Sequence, residues 1–86
     1  MEITYQGKTL SFTSNQEVFS PHGLDKGTEA MLDQAEVHTD DSILDLGCGF
    51  GFVGIYYAAT LPQAQVTMVD IDPNAVQLAQ ANAQKN

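Results

Sequence analysis

Arginine and tryptophan are absent from this 86-residue chain, and cysteine occurs once, as Cys48. A lone cysteine cannot close an intramolecular disulfide, so there is no disulfide framework and the chain reads as intracellular. Without arginine the usual bidentate reader of phosphates and guanine is missing. Basic charge is scarce altogether. Lys8, Lys26 and Lys85 stand against 11 Asp+Glu, giving a net charge of −8. Phosphate contacts depend on Lys and Arg, so these residues predict no nucleic-acid surface, and RNA would be met only through regions outside them. Long apolar runs are lacking too. The longest, Phe52 to Ala59, is interrupted by Gly54 and falls far short of the ~20 residues of a membrane span. The opening Met1-Glu2-Ile3-Thr4 has neither the basic nor the apolar part of a secretory signal. A soluble, cytoplasmic protein with no membrane partner is expected.

The hydrophobic share, 43%, is ordinary for a globular protein. The length suits one small domain, whereas a full doubly wound α/β enzyme usually needs roughly 150 residues or more. Residues 1–17 read as a β-hairpin unit, with Ile3, Tyr5, Leu10 and Phe12 alternating in part around Gln6-Gly7-Lys8. Val18-Phe19-Ser20-Pro21-His22-Gly23 is a turn-rich linker. Asp25 is placed to cap a helix from about Lys26 to Val37, and His38 to Asp41 is polar loop.

From Ser42 the pattern changes. Ser42 to Leu46 is a short apolar run ended by glycine, as in a buried strand of a parallel sheet. The loop Gly47-Cys48-Gly49-Phe50-Gly51 follows, then an apolar helix from about Phe52 to Thr60, stopped by Pro62. Gln65 to Val69 fits a second buried strand, and Asp72-Pro73 opens another helix with Asp at the cap and Pro at its first position. On that helix Ala75, Leu78, Ala79 and Asn82 share a face. The order strand, glycine loop, helix, strand, helix is a βαβα unit.

Glycines at 47, 49 and 51 let the backbone turn tightly and approach a ligand with no Cβ in the way. The amides that open the next helix favour an anionic group. Asp70, ending the second strand, can accept hydrogen bonds from both hydroxyls of a ribose. Loop and acid together imply a nucleoside ligand. Gly49-Phe50-Gly51-Phe52-Val53-Gly54 matches the dinucleotide pattern G-x-G-x-x-G, but starts three residues after the strand end at Leu46. The register Asp45-x-Gly47-x-Gly49-x-Gly51 starts at the strand end and brings an acid suited to an amino group.

Ile43 to Gly51, followed by Val66 to Asp72, resembles the cofactor site of class I (Rossmann-like) S-adenosylmethionine-dependent methyltransferases. The upstream Val18 to Thr28 is similar to the segment before that site in the "methyltransferase small" group, which includes small-subunit ribosomal RNA guanine-N2 methyltransferases. The resemblance implies a Rossmann-like α/β fold with a parallel sheet, of which residues 18–86 supply the first βαβα half behind the hairpin. It implies that Asp45, Leu46, Gly47, Cys48, Gly49, Phe50 and Gly51 hold the methionine part of S-adenosylmethionine. Asp70 would hold the ribose, Ile71 would lie against the adenine, and Gly27 and Thr28 would line the methionine end. The group's catalytic Asn-Pro-Pro-aromatic tetrapeptide does not occur in this sequence. The chain therefore reads as an N-terminal fragment carrying no catalytic residue and inactive by itself.

Other readings stay open at this point. A nicotinamide-dependent oxidoreductase would use Gly49, Gly51 and Gly54, and a non-catalytic module would bind cofactor or pair with another chain, such as a second copy at an open sheet edge. Cys48, with no His or second Cys beside it, reads as a small filler. No His or Cys spacing suggests a metal site. Asp72 reads as a helix cap, Phe52 as core, Phe50 as core or cofactor contact, and Tyr56 and Tyr57 as packed rings whose hydroxyls reach partners.

Overall fold

Glycine and proline punctuate the chain where its elements change. The computed structural model describes residues 2–13 and 26–86. The expected linker from Val18 to Gly23, with His22, and the expected cap Asp25 lie outside the described residues, as does most of the Val18–Thr28 segment. Strand β1, Glu2–Tyr5, pairs antiparallel with β2, Lys8–Ser11, and Ile3 stands opposite Leu10. Gln6 and Gly7 both have positive φ, 52° and 78°. That geometry gives a two-residue turn the twist of its flanking strands.

Helix α1 runs Lys26–Gln34 and stops short of Val37. Beyond it the Asp41 carboxylate accepts the His38 amide at 2.8 Å and the Asp41 amide donates to the His38 carbonyl. A side chain that competes locally for backbone groups ends helices, and β-branched Val37 has little propensity to resist it.

The βαβα unit stands where the sequence expects it, as β3 Ser42–Leu46, α2 Phe52–Thr60, β4 Gln65–Val69 and α3 Pro73–Lys85. Strands β3 and β4 are parallel, with Asp45 opposite Met68 and Leu46 opposite Val69. This is a small α/β fold consistent with part of a class I methyltransferase. One expectation fails: the strands are not buried on both faces. Ile43, Asp45, Val66 and Met68 are half-buried on one side, while Leu44 and Leu46 on the other are 58% and 73% exposed. Both helices in contact with the sheet, α2 and α3, also touch one another. Among the described residues no element covers the second face.

The core joins hairpin to helices. Ile3, Leu10 and Phe12 pack with Leu32 of α1 and with Phe52 and Ile55 of α2. Phe12 meets Phe50 edge-on, ring centroids 5.2 Å apart, a favoured aromatic arrangement. Helix α3 fastens the hairpin's far end with two asparagines. Asn82 exchanges hydrogen bonds with both backbone groups of Thr13 (2.7 and 2.9 Å), and Asn86 does so with Ser11 (3.0 and 2.7 Å). Four residues of helix advance ~6 Å and two of strand ~6.8 Å, so side-chain amides at i and i+4 fall in step with alternate backbone groups. The helix thus presents itself to β2 as a short mock strand. No helix among the described residues is long and apolar enough to cross a membrane.

Candidate functional site

The loop from Gly47 to Gly51 connects the end of β3 to the start of α2, and all three of its glycines take positive φ. They do so for different reasons. A Cβ at Gly51 would sit 2.9 Å from Ile55 Cδ1 and 3.1 Å from Ala79 Cβ, so this glycine lets α2 and α3 approach. A Cβ on Gly47 or Gly49 would meet nothing within 4 Å. At these two positions the left-handed backbone (φ 66° and 55°) demands glycine while the space outside stays open. That leaves an open cradle on the loop's outer side, the candidate site, although Gly7 in the hairpin turn shares both features.

Two carboxylates flank it. Asp70, just past β4, accepts the Gly49 amide on Oδ2 and the Asp72 amide on Oδ1, each at 2.9 Å. Those two donors hold its carboxyl below the usual carboxylate range, with the Asp72 amide the larger cause. Asp70 is thus ionised and turned toward the loop, and each oxygen keeps room for a further donor. The Cys48 amide donates to the Val69 carbonyl at 3.0 Å, a second tie between loop and β4.

Asp45, near the end of β3, accepts the Gly54 amide on Oδ2 at 3.1 Å. Gly51 occupies the cap position of α2 and has no side chain to offer. Asp45 therefore caps the helix from the neighbouring strand, satisfying one of its orphan amides. Burial pushes its carboxyl up, the Gly54 amide works against this, and the charge of Asp70 adds to the rise. Its other oxygen, Oδ1, bonds to none of the described residues and remains available to a cation or amine.

Cys48 is buried among these charges. Burial first, then the nearby Asp45 and Asp70, raise its thiol, so it stays protonated and unreactive. This agrees with its reading as filler. Phe52 is core, and Phe50 packs on Phe12. Asp72 caps α3, accepting the Asn74 amide at 2.9 Å, as expected. Leu46 and Ile71 stand exposed at the ends of β3 and β4, Ile71 completely so. Gly27 and Thr28 lie in the first turn of α1, an element apart from the loop. The structure thus brings Asp45, the glycine loop and Asp70 together at one end of the parallel strands.

One residue at the site is not apparent from the sequence. Asn82, fully buried, donates to the Phe50 carbonyl at 2.8 Å as well as to Thr13. It couples the cradle to the hairpin. In the sequence it shows only as a polar residue on an otherwise apolar helix face, a signal that points to a buried hydrogen-bonded group. Gly54, the last glycine of the dinucleotide pattern, lies inside α2, where its missing Cβ makes room for Met68 and Val66. Such close helix–strand packing serves either cofactor and does not favour the nicotinamide reading. The strand end at Leu46 and helix start at Phe52 set the register that begins at Gly47.

The pattern of the methyltransferase small domain matches residues 9–86, and the chain belongs to this family. It is 34% identical over 82 residues to the uncharacterized protein YbxB of Bacillus subtilis, covering 94% of this chain and 41% of that protein. Over 74 residues it is 46% identical to ribosomal RNA large subunit methyltransferase G of Ectopseudomonas mendocina, covering 85% of this chain and 20% of the relative. Over 86 residues it is 38% identical to ribosomal RNA small subunit methyltransferase C of Haemophilus influenzae, covering 96% and 26%. The chain thus spans from a fifth to two fifths of these relatives' lengths. No solved structure matches it.

Proposed function

We propose that these residues form the S-adenosylmethionine-holding part of a methyltransferase that modifies an exocyclic amine of guanine in ribosomal RNA. The observation that carries the cofactor assignment is the pair of open glycines, Gly47 and Gly49, between an ionised Asp70 and a half-buried Asp45. The residues fit the group. Asp70 takes the ribose hydroxyls and Ile71 offers an apolar surface for the adenine. Asp45 Oδ1 takes the cationic amino group, and amides at the start of α2 favour the carboxylate. Gly27 and Thr28, in the first turn of α1, are given the methionine end by the resemblance alone. When bound, the cofactor supplies a methyl group on a sulfonium, already a strong electrophile, so the protein's task is positioning.

The ribosomal RNA substrate is supported by the names of two relatives, and the guanine amine by the resemblance of Val18–Thr28 alone. The Asn-Pro-Pro-aromatic tetrapeptide does not occur in these residues and basic charge is scarce, so only the cofactor-holding part of the reaction is assigned to them. Calorimetry with S-adenosylhomocysteine and with NADH tests the reading. Saturable binding of the first, weakened in Asp70→Ala, supports it. Preference for NADH, or unchanged affinity in Asp70→Ala, refutes it.

A further inference from the structure

Every tyrosine of the chain lines one cavity. Tyr5 of β1 and Tyr56 and Tyr57 of α2 meet Leu32, Asp33 and Val37 around an open hollow of about 530 Å³. The volume falls in the range of small-molecule sites, but the hollow is wide and shallow. None of residues 45–51, 70 or 71 lines it, so it is separate from the glycine cradle. The rings stand steeply to one another, 75° between Tyr5 and Tyr56 and 68° between Tyr56 and Tyr57, with centroids 5.2 and 5.4 Å apart. The three rings make corners with one another, while Tyr56 also stacks on Phe52, centroids 5.9 Å apart at 21°.

The polar groups here are underused. Tyr5 donates its hydroxyl to Asp33 Oδ1 at 2.6 Å. The expected partners for the Tyr56 and Tyr57 hydroxyls are not found among the described residues, nor is one for Asp33 Oδ2. No lysine lines the cavity, so no lining residue neutralises Asp33. A carboxylate beside phenolic hydroxyls attracts a cation, and the net charge of −8 draws cations toward the whole surface. Leu32 and Val37 add an aliphatic wall against which methylenes can lie while the charged head stays polar.

We propose that this cavity binds an alkylammonium group on an aliphatic stem, the chemistry shared by a lysine side chain and the end of a free polyamine. The ammonium sits between Asp33 Oδ2 and the tyrosines, and the stem runs along Leu32 and Val37. Bidentate phosphate-like or anionic ligands are excluded by Asp33.

Because the chain has no tryptophan, its ultraviolet emission reports on this cavity alone. The 86-residue chain is titrated with spermidine, with Nα-acetyl-lysine methylamide, with neutral 1-pentanol, and with sodium chloride at matched ionic strength. A saturable change in tyrosine emission with the amines alone is expected. Tighter binding of spermidine identifies a free polyamine, and equal or tighter binding of the lysine amide identifies a protein side chain. Asp33→Asn, on an exposed position, lowers amine affinity by about two- to fivefold, as loss of one exposed charge contact does. Tyr57→Leu, which keeps apolar packing, lowers it as well, and Glu2→Gln, at an exposed carboxylate outside the lining, leaves it unchanged. The absence of a saturable amine response, an equal response to 1-pentanol, or full affinity in both Asp33→Asn and Tyr57→Leu overturns the proposal.

Discussion

The Asp70 carboxylate accepts the Gly49 amide at 2.9 Å, which ties the end of β4 to the middle of the glycine loop. The residue expected to grip a ligand is therefore also what shapes the cradle. Asp70→Asn should weaken S-adenosylhomocysteine binding in calorimetry and also raise loop mobility, read as faster amide exchange at Gly49. Weaker binding with unchanged exchange would confine Asp70 to ligand contact.

The two carboxylates of the site respond oppositely to acid. Asp70 has its folded pKa lowered by the Asp72 and Gly49 amides, so its stabilisation is present at neutral pH and is lost as pH falls through that lowered value. Asp45 has its folded pKa raised, chiefly by burial. Its contribution is fully present in acid below the usual carboxylate value and disappears as pH rises through the folded one. Melting temperatures followed from neutral to acid pH should therefore fall less steeply in Asp70→Asn than in the parent, and more steeply in Asp45→Asn. Parallel curves for all three proteins would contradict both assignments.

The glycines should separate fold from binding. Gly51→Ala must place a Cβ 3.3 Å from the Ala79 backbone with φ at 102°, and strain of this kind costs about 1–3 kcal/mol before any clash. Gly49→Ala meets open space and should lose only about 1–2 kcal/mol for its left-handed backbone. The expected result is a large loss of thermal stability in Gly51→Ala. Gly49→Ala should keep its fold and lose its affinity for S-adenosylhomocysteine.

The order β3, α2, β4, α3 is legible in the sequence because each boundary carries a local mark: Gly47 after Leu46, Pro62 after Thr60, and Asp72-Pro73 before the last helix. The end of α1 has no such mark, and a side-chain contact from Asp41 decides it. What α3 does for the hairpin is invisible locally, since Asn82 and Asn86 meet residues 69 and 75 positions away. The bare second face of the sheet escapes too, because an apolar run such as Ile43-Leu44 reads alike whether one side or both are covered.

Asp72 offers a control beside the site. Its side chain accepts the Asn74 amide and caps α3. Asp72→Ala should lower stability by about 1 kcal/mol, the usual loss for such a cap. Cofactor affinity should stay at the parent value once the temperature is set well below the melting point. A large loss of affinity would move Asp72 from the helix end into the binding site.

Asn82 should be the most sensitive position on α3. It is fully buried and serves Thr13 on both backbone groups and Phe50 on its carbonyl. Asn82→Leu removes the Asn82 partner of both Thr13 backbone groups, each at a desolvation penalty of about 1–3 kcal/mol where it stays buried. Asn86→Ala, at an exposed position that makes the equivalent pair with Ser11, leaves groups that water can reach. The loss of stability in denaturant melts should therefore be several times greater for Asn82→Leu than for Asn86→Ala. Asn82→Asp separates the two halves of the interaction: it keeps the acceptor for the Thr13 amide but sets a carboxylate oxygen against the Phe50 and Thr13 carbonyls. It should destabilise the protein further as pH rises through the carboxylate range. A variant at position 82 as mild as Asn86→Ala would mean that the hairpin is held by its apolar packing on α2 alone.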